Sequence, residues 1–267
     1  MIVDLLKKIS QPKKIRQAIL FAMHFPSNGA LNEFQRIKES CAAWGDCLIS
    51  YDNRDAKPID PAILREAHWI FSEQELAGLG YYVPTGVPLI PGGNHWPVIR
   101  FSQHNNYDYY WNIEYDVRFA GDWKDFFSHF SKAKDDFITS HIRKYKQETY
   151  WYYWSTLSHP ELKIDQKQYL RSFNPIYRIS NRALQYIDQM HKQRWRGHHE
   201  ALIATLLHQG RFSLRDFGGT GRFVHLGERN LFYIDSINAK LCDGSMRYRP
   251  EIESTQGYYN KLVHPVK

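Results

Sequence analysis

Ala18-Ile19-Leu20-Phe21-Ala22-Met23-His24 is a continuous apolar run of the kind that forms a strand buried on both faces. Pro26-Ser27-Asn28-Gly29 ends it, and Leu31, Phe34, Ile37 and Cys41 then recur at helical spacing until Trp44-Gly45. Cys47-Leu48-Ile49-Ser50-Tyr51 reads as a second buried strand that stops at Asp52-Asn53. Strand, helix and strand with short connections make a βαβ unit, which implies a parallel sheet and a right-handed crossover. Ligands of such sheets bind beyond the carboxyl ends of the strands, so His24, Asp52 and Asn53 are candidate binding residues. No glycine-rich phosphate fingerprint lies between the strands, which argues against a dinucleotide or P-loop site.

Farther along, Tyr107-Asp108-Tyr109-Tyr110-Trp111-Asn112-Ile113-Glu114-Tyr115-Asp116-Val117-Arg118-Phe119 alternates at period two. Tyr109, Trp111, Ile113, Tyr115, Val117 and Phe119 share one face. Tyr110, Asn112, Glu114, Asp116 and Arg118 share the other. Two carboxylates at i and i+2 near a strand end repel one another, and burying either unpaired is costly. A cation between them removes both problems, and oxygen ligands suit Mg²⁺ or Mn²⁺. Acid-x-acid after an apolar strand is a pattern that holds a metal against a diphosphate. The plainer alternative is an exposed strand edge in which Arg118 pairs with Glu114 or Asp116.

The remaining elements are read in the same way. Asp60-Pro61 is a helix start, with Ile63, Ala67, Ile70 and Phe71 as its apolar face and Gly78 to Gly80 as its end. Pro84 to Gly93 is a loop open to motion, and Val98-Ile99-Arg100-Phe101 a short strand. Asp122 caps a helix carrying Trp123, Phe126, Phe127 and Phe130. Tyr150-Trp151-Tyr152-Tyr153-Trp154 is either a buried strand, the favoured reading, or a platform on which an acceptor stacks. Ser180 caps a helix with Ala183, Leu184, Ile187 and Met190. Gly197-His198-His199-Glu200 opens another, anchored by Leu202, Ile203, Leu206 and Leu207 and stopped by Gly210. Adjacent residues diverge around a helix, so these three chelate poorly as a trio; a carboxylate there also suits the helix dipole. Asp216 to Gly221 reads as a flexible loop.

Composition narrows the classes. The chain has 267 residues, a net charge of +7 and 15% aromatics, which suits one globular domain with an anionic partner. The charge is dispersed and no RNA-binding motif appears, so nucleic acid is not an expected partner. Cys41, Cys47 and Cys242 are odd in number and lack metal spacing, which suits a reducing, cytoplasmic setting. Residues 1–16 form a basic amphipathic segment: Ile2, Leu5, Leu6 and Ile9 on one face, with Lys7, Lys8, Lys13, Lys14 and Arg16 close behind. It is too short and charged to span a membrane, and is either a cap on the fold or a peripheral foot on an anionic inner-membrane surface. Residues 17–267 form the main domain.

Taken in order, the βαβ start, the tract Tyr110 to Phe119, Gly197-His198-His199-Glu200 and His264-Pro265-Val266-Lys267 resemble the GT-A type of nucleotide-sugar glycosyltransferase. The similarity is to bacterial members linked to surface polysaccharides. It implies an α/β fold, a single domain with a mainly parallel, Rossmann-like central sheet flanked by helices. It implies a Mn²⁺ or Mg²⁺ ion held by Asp116, with Glu114 and His264, on the diphosphate of a UDP-sugar donor. Arg118 would add positive charge beside it, and His24, Asp52 and Asn53 would hold the nucleoside. Glu200 would be the base that takes a proton from a glycan or lipid-linked glycan acceptor, in an inverting reaction. His198, His199 and Trp154 would contact that acceptor. Glu114 departs from the commoner aspartate, and His-His-Glu from the usual acidic pair. Two other classes fit the residues: a carbohydrate-binding protein without turnover, and a metal-dependent nucleotidyltransferase.

Overall fold

The computed structural model describes residues 15–83, 92–236 and 241–267. Most of the amphipathic N-terminal segment and of the Pro84 to Gly93 loop lies outside the described residues. Nine strands are present among those described: β1 (Gln17–Met23), β2 (Gly45–Asp52), β3 (His68–Phe71), β4 (Tyr109–Glu114), β5 (Arg118–Phe119), β6 (Phe137–Lys144), β7 (Leu170–Ser180), β8 (Leu214–Asp216) and β9 (Leu262–Val263). The main helices are α1 (Asn28–Cys41), α2 (Pro61–Leu64), α3 (Glu73–Ala77), α4 (Trp96–His104), α5 (Trp123–Phe130), α6 (Asn181–Lys192) and α7 (His199–Gln209).

Seven strands form one sheet in the order β3-β2-β1-β4-β7-β6-β8, while β5 and β9 make a separate ribbon. The pairs β1–β2, β1–β4, β2–β3 and β6–β8 are parallel, and β7 alone runs against both of its neighbours. The expected α/β architecture with a mainly parallel sheet is therefore what the chain adopts.

Alternation along β1 explains its unbroken hydrophobicity. Ile19 and Phe21 enter one layer, with Phe34 and Ile37 of α1 and Phe126 of α5. Ala18 and Leu20 enter the other, with Val98 of α4, Leu184 of α6 and Leu202 of α7. Both faces are covered, and the strand's one polar residue, Gln17, is buried with its Oε1 accepting from Trp111 Nε1–H at 3.1 Å and Arg178 Nε–H at 2.9 Å. The expected caps are in place. Asp122 accepts from the Lys124 N–H at 2.9 Å and Ser180 from the Ala183 N–H at 3.2 Å. Gly210 closes α7 by donating to the Leu206 carbonyl at 2.8 Å.

Four expectations fail. The helix after Asp60 stops at Leu64, and Ile70 and Phe71 belong to β3, which pairs parallel with β2. The open edge of β2 recruits a β-prone His-Trp-Ile-Phe segment whose helical spacing was incidental. Val98 to Phe101 lie in α4 rather than a strand, because Pro97 sets the first helical turn and the apolar residues face the second layer. Tyr152–Thr156 is a 3₁₀ turn, not a buried strand, with Tyr150 99% exposed. The loop after Asp216 is pinned rather than flexible: the buried Asp216 carboxylate accepts from the Gly218 and Gly219 N–H groups and the Tyr233 hydroxyl.

Candidate active site

The site forms where β4 stops. Glu114 is its last residue; Asp116 sits in the turn that follows, closed by a Val117 N–H donated to the Glu114 carbonyl at 3.0 Å. The alternation read through Phe119 is therefore cut at Tyr115. Ribbon pairing of β9 with β5 brings the chain's tail back to this turn, where the Val266 N–H donates to the Asp116 carbonyl at 2.9 Å. His264 is delivered beside both acids. Its Nε2 lies 3.5 Å from Asp116 Oδ1 and 3.9 Å from Glu114 Oε2. One ligand atom from each of the three can be chosen so that all lie within 4.8 Å of one another.

These residues fit a divalent cation on three counts. The His264 Nδ1–H donates to the Arg247 carbonyl at 2.7 Å, which leaves the Nε2 lone pair facing the acids. Asp116 Oδ1 is buried with no hydrogen-bond partner. Burial, and then the charge of Asp116, push Glu114 up to about 8, so a cation is what would keep Glu114 ionised at neutral pH. Arg118 does not supply that charge. Its guanidinium donates to the Tyr115 and Val117 carbonyls at 2.6 and 2.9 Å and lies 4.0 Å from Glu33. Arg118 holds the turn from behind and is not in either cavity wall, which corrects its expected place on the diphosphate and removes the plain strand-edge alternative.

Two cavities meet at Glu114. The first, of about 460 Å³, opens over the carboxyl ends of β1, β2 and β4 and is lined by His24, Ser50, Asp52, Arg54, Asn94 and Glu114, among others. Burial lowers the His24 pKa, so its ring is neutral at pH 7. Asp52 is held by Arg54, with Nε contacts of 2.9 and 3.0 Å and an Nη2 contact of 2.7 Å. Asn53 is outside this wall; its N–H donates to the Phe71 carbonyl at 3.0 Å and fastens the β2–β3 edge instead.

The second cavity, of about 390 Å³, contains Glu114, Asp116, His264, His198, His199 and Glu200 in its wall. Residues as far apart in sequence as Glu114 and His264 are thus brought around one space. His198 caps α7, and Glu200, in the helix's first turn, is buried. Glu200 Oε1 accepts from the Asn174 N–H at 3.4 Å. Burial raises Glu200 to about 7, against the opposing pull of Arg171 and that N–H. Burial drops His198 to about 4, and its ring stacks on Tyr153 with centroids 3.8 Å apart.

Gly197 explains how this segment approaches: at φ +155°, a Cβ there would stand 3.1 Å from the Leu157 Cα. The aromatic turn and the α7 entrance are further tied by the His198 N–H donated to Thr156 Oγ1 at 2.9 Å. Trp154 is not a contact surface. It is buried, packs on Tyr145 and Tyr169, and donates its Nε1–H to the Glu148 carbonyl at 2.8 Å. Trp151, Tyr152 and Tyr153 line the cavity in its place. A 3₁₀ turn shows its residues on three sides, and this one turns Trp154 inward while Tyr152 and Tyr153 face the cavity.

Residues that sequence reasoning passed over include Asn94, whose Nδ2–H donates to Glu114 Oε1 at 3.0 Å and which lines both cavities. It followed a Pro/Gly-rich stretch with no period to place it. Arg171 lies in β7, a buried strand that mixes apolar and polar residues without a clean period.

No protein-family model matches the sequence, and neither does any curated protein. Solved structures to which it is similar include glycosyltransferases and nucleotidyltransferases. One is glucosyl-3-phosphoglycerate synthase from Mycobacterium tuberculosis with Mn²⁺, UDP-glucose and phosphoglyceric acid: 12% identity over 81% of this chain and 74% of that one, TM-score 0.42. Another is the galactosyltransferase LgtC with donor and acceptor sugar analogues: 10% identity, 75% and 73% covered, TM-score 0.38. A third is CMP:2-keto-3-deoxy-manno-octonic acid synthetase with CTP: 12% identity, 78% and 93% covered, TM-score 0.39. At these identities and scores the likenesses transfer no chemistry, which rests on this chain's own side chains.

Proposed function

We propose that the protein is a metal-dependent glycosyltransferase that moves a sugar from a nucleoside diphosphate sugar to a glycan acceptor. The observation that carries this is the position of the Glu114–Asp116–His264 cluster in the second cavity, with Glu114 shared by the first. One cavity lies over strand ends, where a nucleoside fits; the other holds an isolated carboxylate on a helix start. UDP is the nucleotide we favour, with Mn²⁺ or Mg²⁺ as the ion. When bound, the ion would supply positive charge to the diphosphate as the sugar departs.

The chain's own residues account for the rest. Asn94 holds Glu114, and the Arg247 carbonyl holds His264, so the ligand atoms face the shared boundary. His24, Ser50 and the Asp52–Arg54 pair form the nucleoside's wall. The sugar extends into the second cavity toward Glu200. There an acceptor hydroxyl bonds to the anomeric carbon as the bond to the diphosphate breaks, and its proton passes to a Glu200 carboxylate oxygen. A base with pKa about 7 combines a large ionised fraction at neutral pH with useful basicity. A single displacement of this kind inverts the anomeric configuration. Trp151 and Tyr153 offer ring faces for the acceptor, beside His198 and His199.

The test is titration calorimetry of UDP with and without Mn²⁺, followed by product analysis with a UDP-sugar panel. We expect Mn²⁺-dependent binding and an inverted glycoside. Release of inorganic pyrophosphate from a nucleoside triphosphate and a sugar phosphate would favour the nucleotidyltransferase instead; binding of free sugar alone would favour a lectin. Among the described residues no helix is long and apolar enough to cross a membrane. We further propose a cytoplasmic enzyme that rests on an anionic inner-membrane surface through its first 16 residues and acts on a lipid-linked glycan of a surface polysaccharide. Salt-sensitive sedimentation with anionic but not neutral liposomes is the expected result; equal sedimentation with both rules it out.

A further inference from the structure

We infer that the second cavity is built to receive an acceptor bearing a negative charge, a carboxylate or a phosphate, through Arg171. This rests on the reading of that cavity as the acceptor site. Strand geometry provides the first argument. Arg171, Phe173 and Pro175 are alternate residues of β7, and all three line the cavity, so the strand's period aims the Arg171 side chain at the same space as Glu200. The docking of α7 along this stretch fixes the spacing: Thr205 Oγ1 donates to the Leu170 carbonyl at 2.8 Å, and the Asn174 N–H donates to Glu200 at 3.4 Å.

The second argument is what the guanidinium lacks. Its side chain is 0% exposed, yet among the described residues the one ion pair it forms is from Nε to Glu148 Oε2 at 3.0 Å. Nη1 and Nη2 are buried without hydrogen-bond partners. Trp151 covers one face of the group at 4.7 Å and leaves the donor edge to in-plane partners. Five fixed N–H donors in a plane match a carboxylate or phosphate, and a buried charge with unused donors is expensive to keep. The paired position across the sheet makes the point by contrast. Arg143, opposite Arg171 in register, donates to Asp235, Thr220 and the Thr220 carbonyl. Arg249 lines the same cavity and adds a second cation toward solvent. Two of the cavity's acids, Glu114 and Asp116, are gathered at the metal centre, while the third, Glu200, lies on the Arg171 side and feels its charge.

The experiment is calorimetric titration of the full chain with glucose, glucuronate and glucose 6-phosphate, each with and without Mn²⁺ and UDP. We expect at least one anion to bind roughly 10- to 100-fold more tightly than glucose, and the tighter of the two to identify carboxylate or phosphate as the group read. Arg171→Gln should abolish the difference while leaving glucose binding unchanged, and Arg171→Lys should restore part of it. Equal binding of all three by the wild-type chain, or binding of none, overturns the inference without recourse to any variant. So does an Arg171→Gln protein that loses glucose and anion alike, since that marks a purely structural role. The metal-free, nucleotide-free titrations separate the two readings: anion preference without Mn²⁺-dependent UDP binding keeps the subsite and removes the glycosyltransferase.

Discussion

The two halves of the sheet solve the same problem by different means. From β3 to β4 the strands are parallel, in continuous register, and filled with apolar residues between α1, α5 and α4. From β7 to β8 the pairing is antiparallel and then parallel, and the register of β6 on β7 shifts twice. This half buries charge: Asp136, His141, Arg143, Arg171, Arg178, Arg215 and Asp216 are all enclosed. Burial pushes Asp235 up, but His141, Arg143 and Thr220 outweigh it and hold the carboxyl well below the usual range. One half is a frame that can be stated in hydrophobic terms; the other is a polar lattice whose groups depend on one another. The difference teaches where each function can be housed: a nucleoside needs a stable rim, whereas proton transfer needs tuned acids.

The largest effect should come at the seam between the halves. Asp116→Ala is expected to weaken Mn²⁺-dependent UDP binding by more than about 100-fold in calorimetry, with the thermal midpoint little changed, because a ligand is removed from a polar site and not from the core. Unchanged affinity would move the metal centre elsewhere. Next, Glu200→Gln should lower turnover by about 10²–10⁴-fold while UDP affinity stays constant. A matching loss of UDP affinity would break the division of labour between the halves.

Stability sharpens the contrast. Phe34→Ala in the apolar half and Asp235→Asn in the polar half should each cost about 3–5 kcal/mol in urea unfolding at pH 7. Their acid responses should differ. Asp235 has a lowered folded-state pKa, so its contribution is complete above its unfolded value of about 3.9 and is lost as pH falls below it. Asp235→Asn should therefore flatten the stability curve below about pH 4, and Phe34→Ala should only displace it downward. Parallel curves for the two variants would contradict the assignment. The smallest effect is the pH profile: turnover should fall about tenfold per pH unit below the Glu200 pKa of about 7, and this limb should be absent in Glu200→Gln.

The same contrast explains what the sequence disclosed. The apolar half was legible because a stretch such as Ala18 to Met23 must be hydrophobic when both faces are covered. Its errors, at Ile70–Phe71 and Val98–Phe101, fell on short segments where three or four apolar residues fit either period. Glu114, Asp116 and Glu200 stood out by their spacing or place at a helix start, and His264 through the family resemblance alone; the fold brings all four around one cavity. Arg118, Asn53 and Trp154 were misplaced, since a turn after β4, an edge strand and a 3₁₀ turn each redirect a side chain by a rotation no linear period encodes. Arg171 carried no signal at all; only the fold reveals that its donors are unsatisfied.

Asn94 and Glu114, joined by a 3.0 Å hydrogen bond, form a party wall common to both cavities. A compound with a nucleoside at one end and an acidic sugar at the other, joined by a linker that crosses this wall, would turn its second engagement into an intramolecular one. With a short linker the effective concentration reaches the millimolar range, so affinity would multiply without any new contact. The wall thus sets the linker: long enough to clear one amide and one carboxylate, and short enough to lose little entropy.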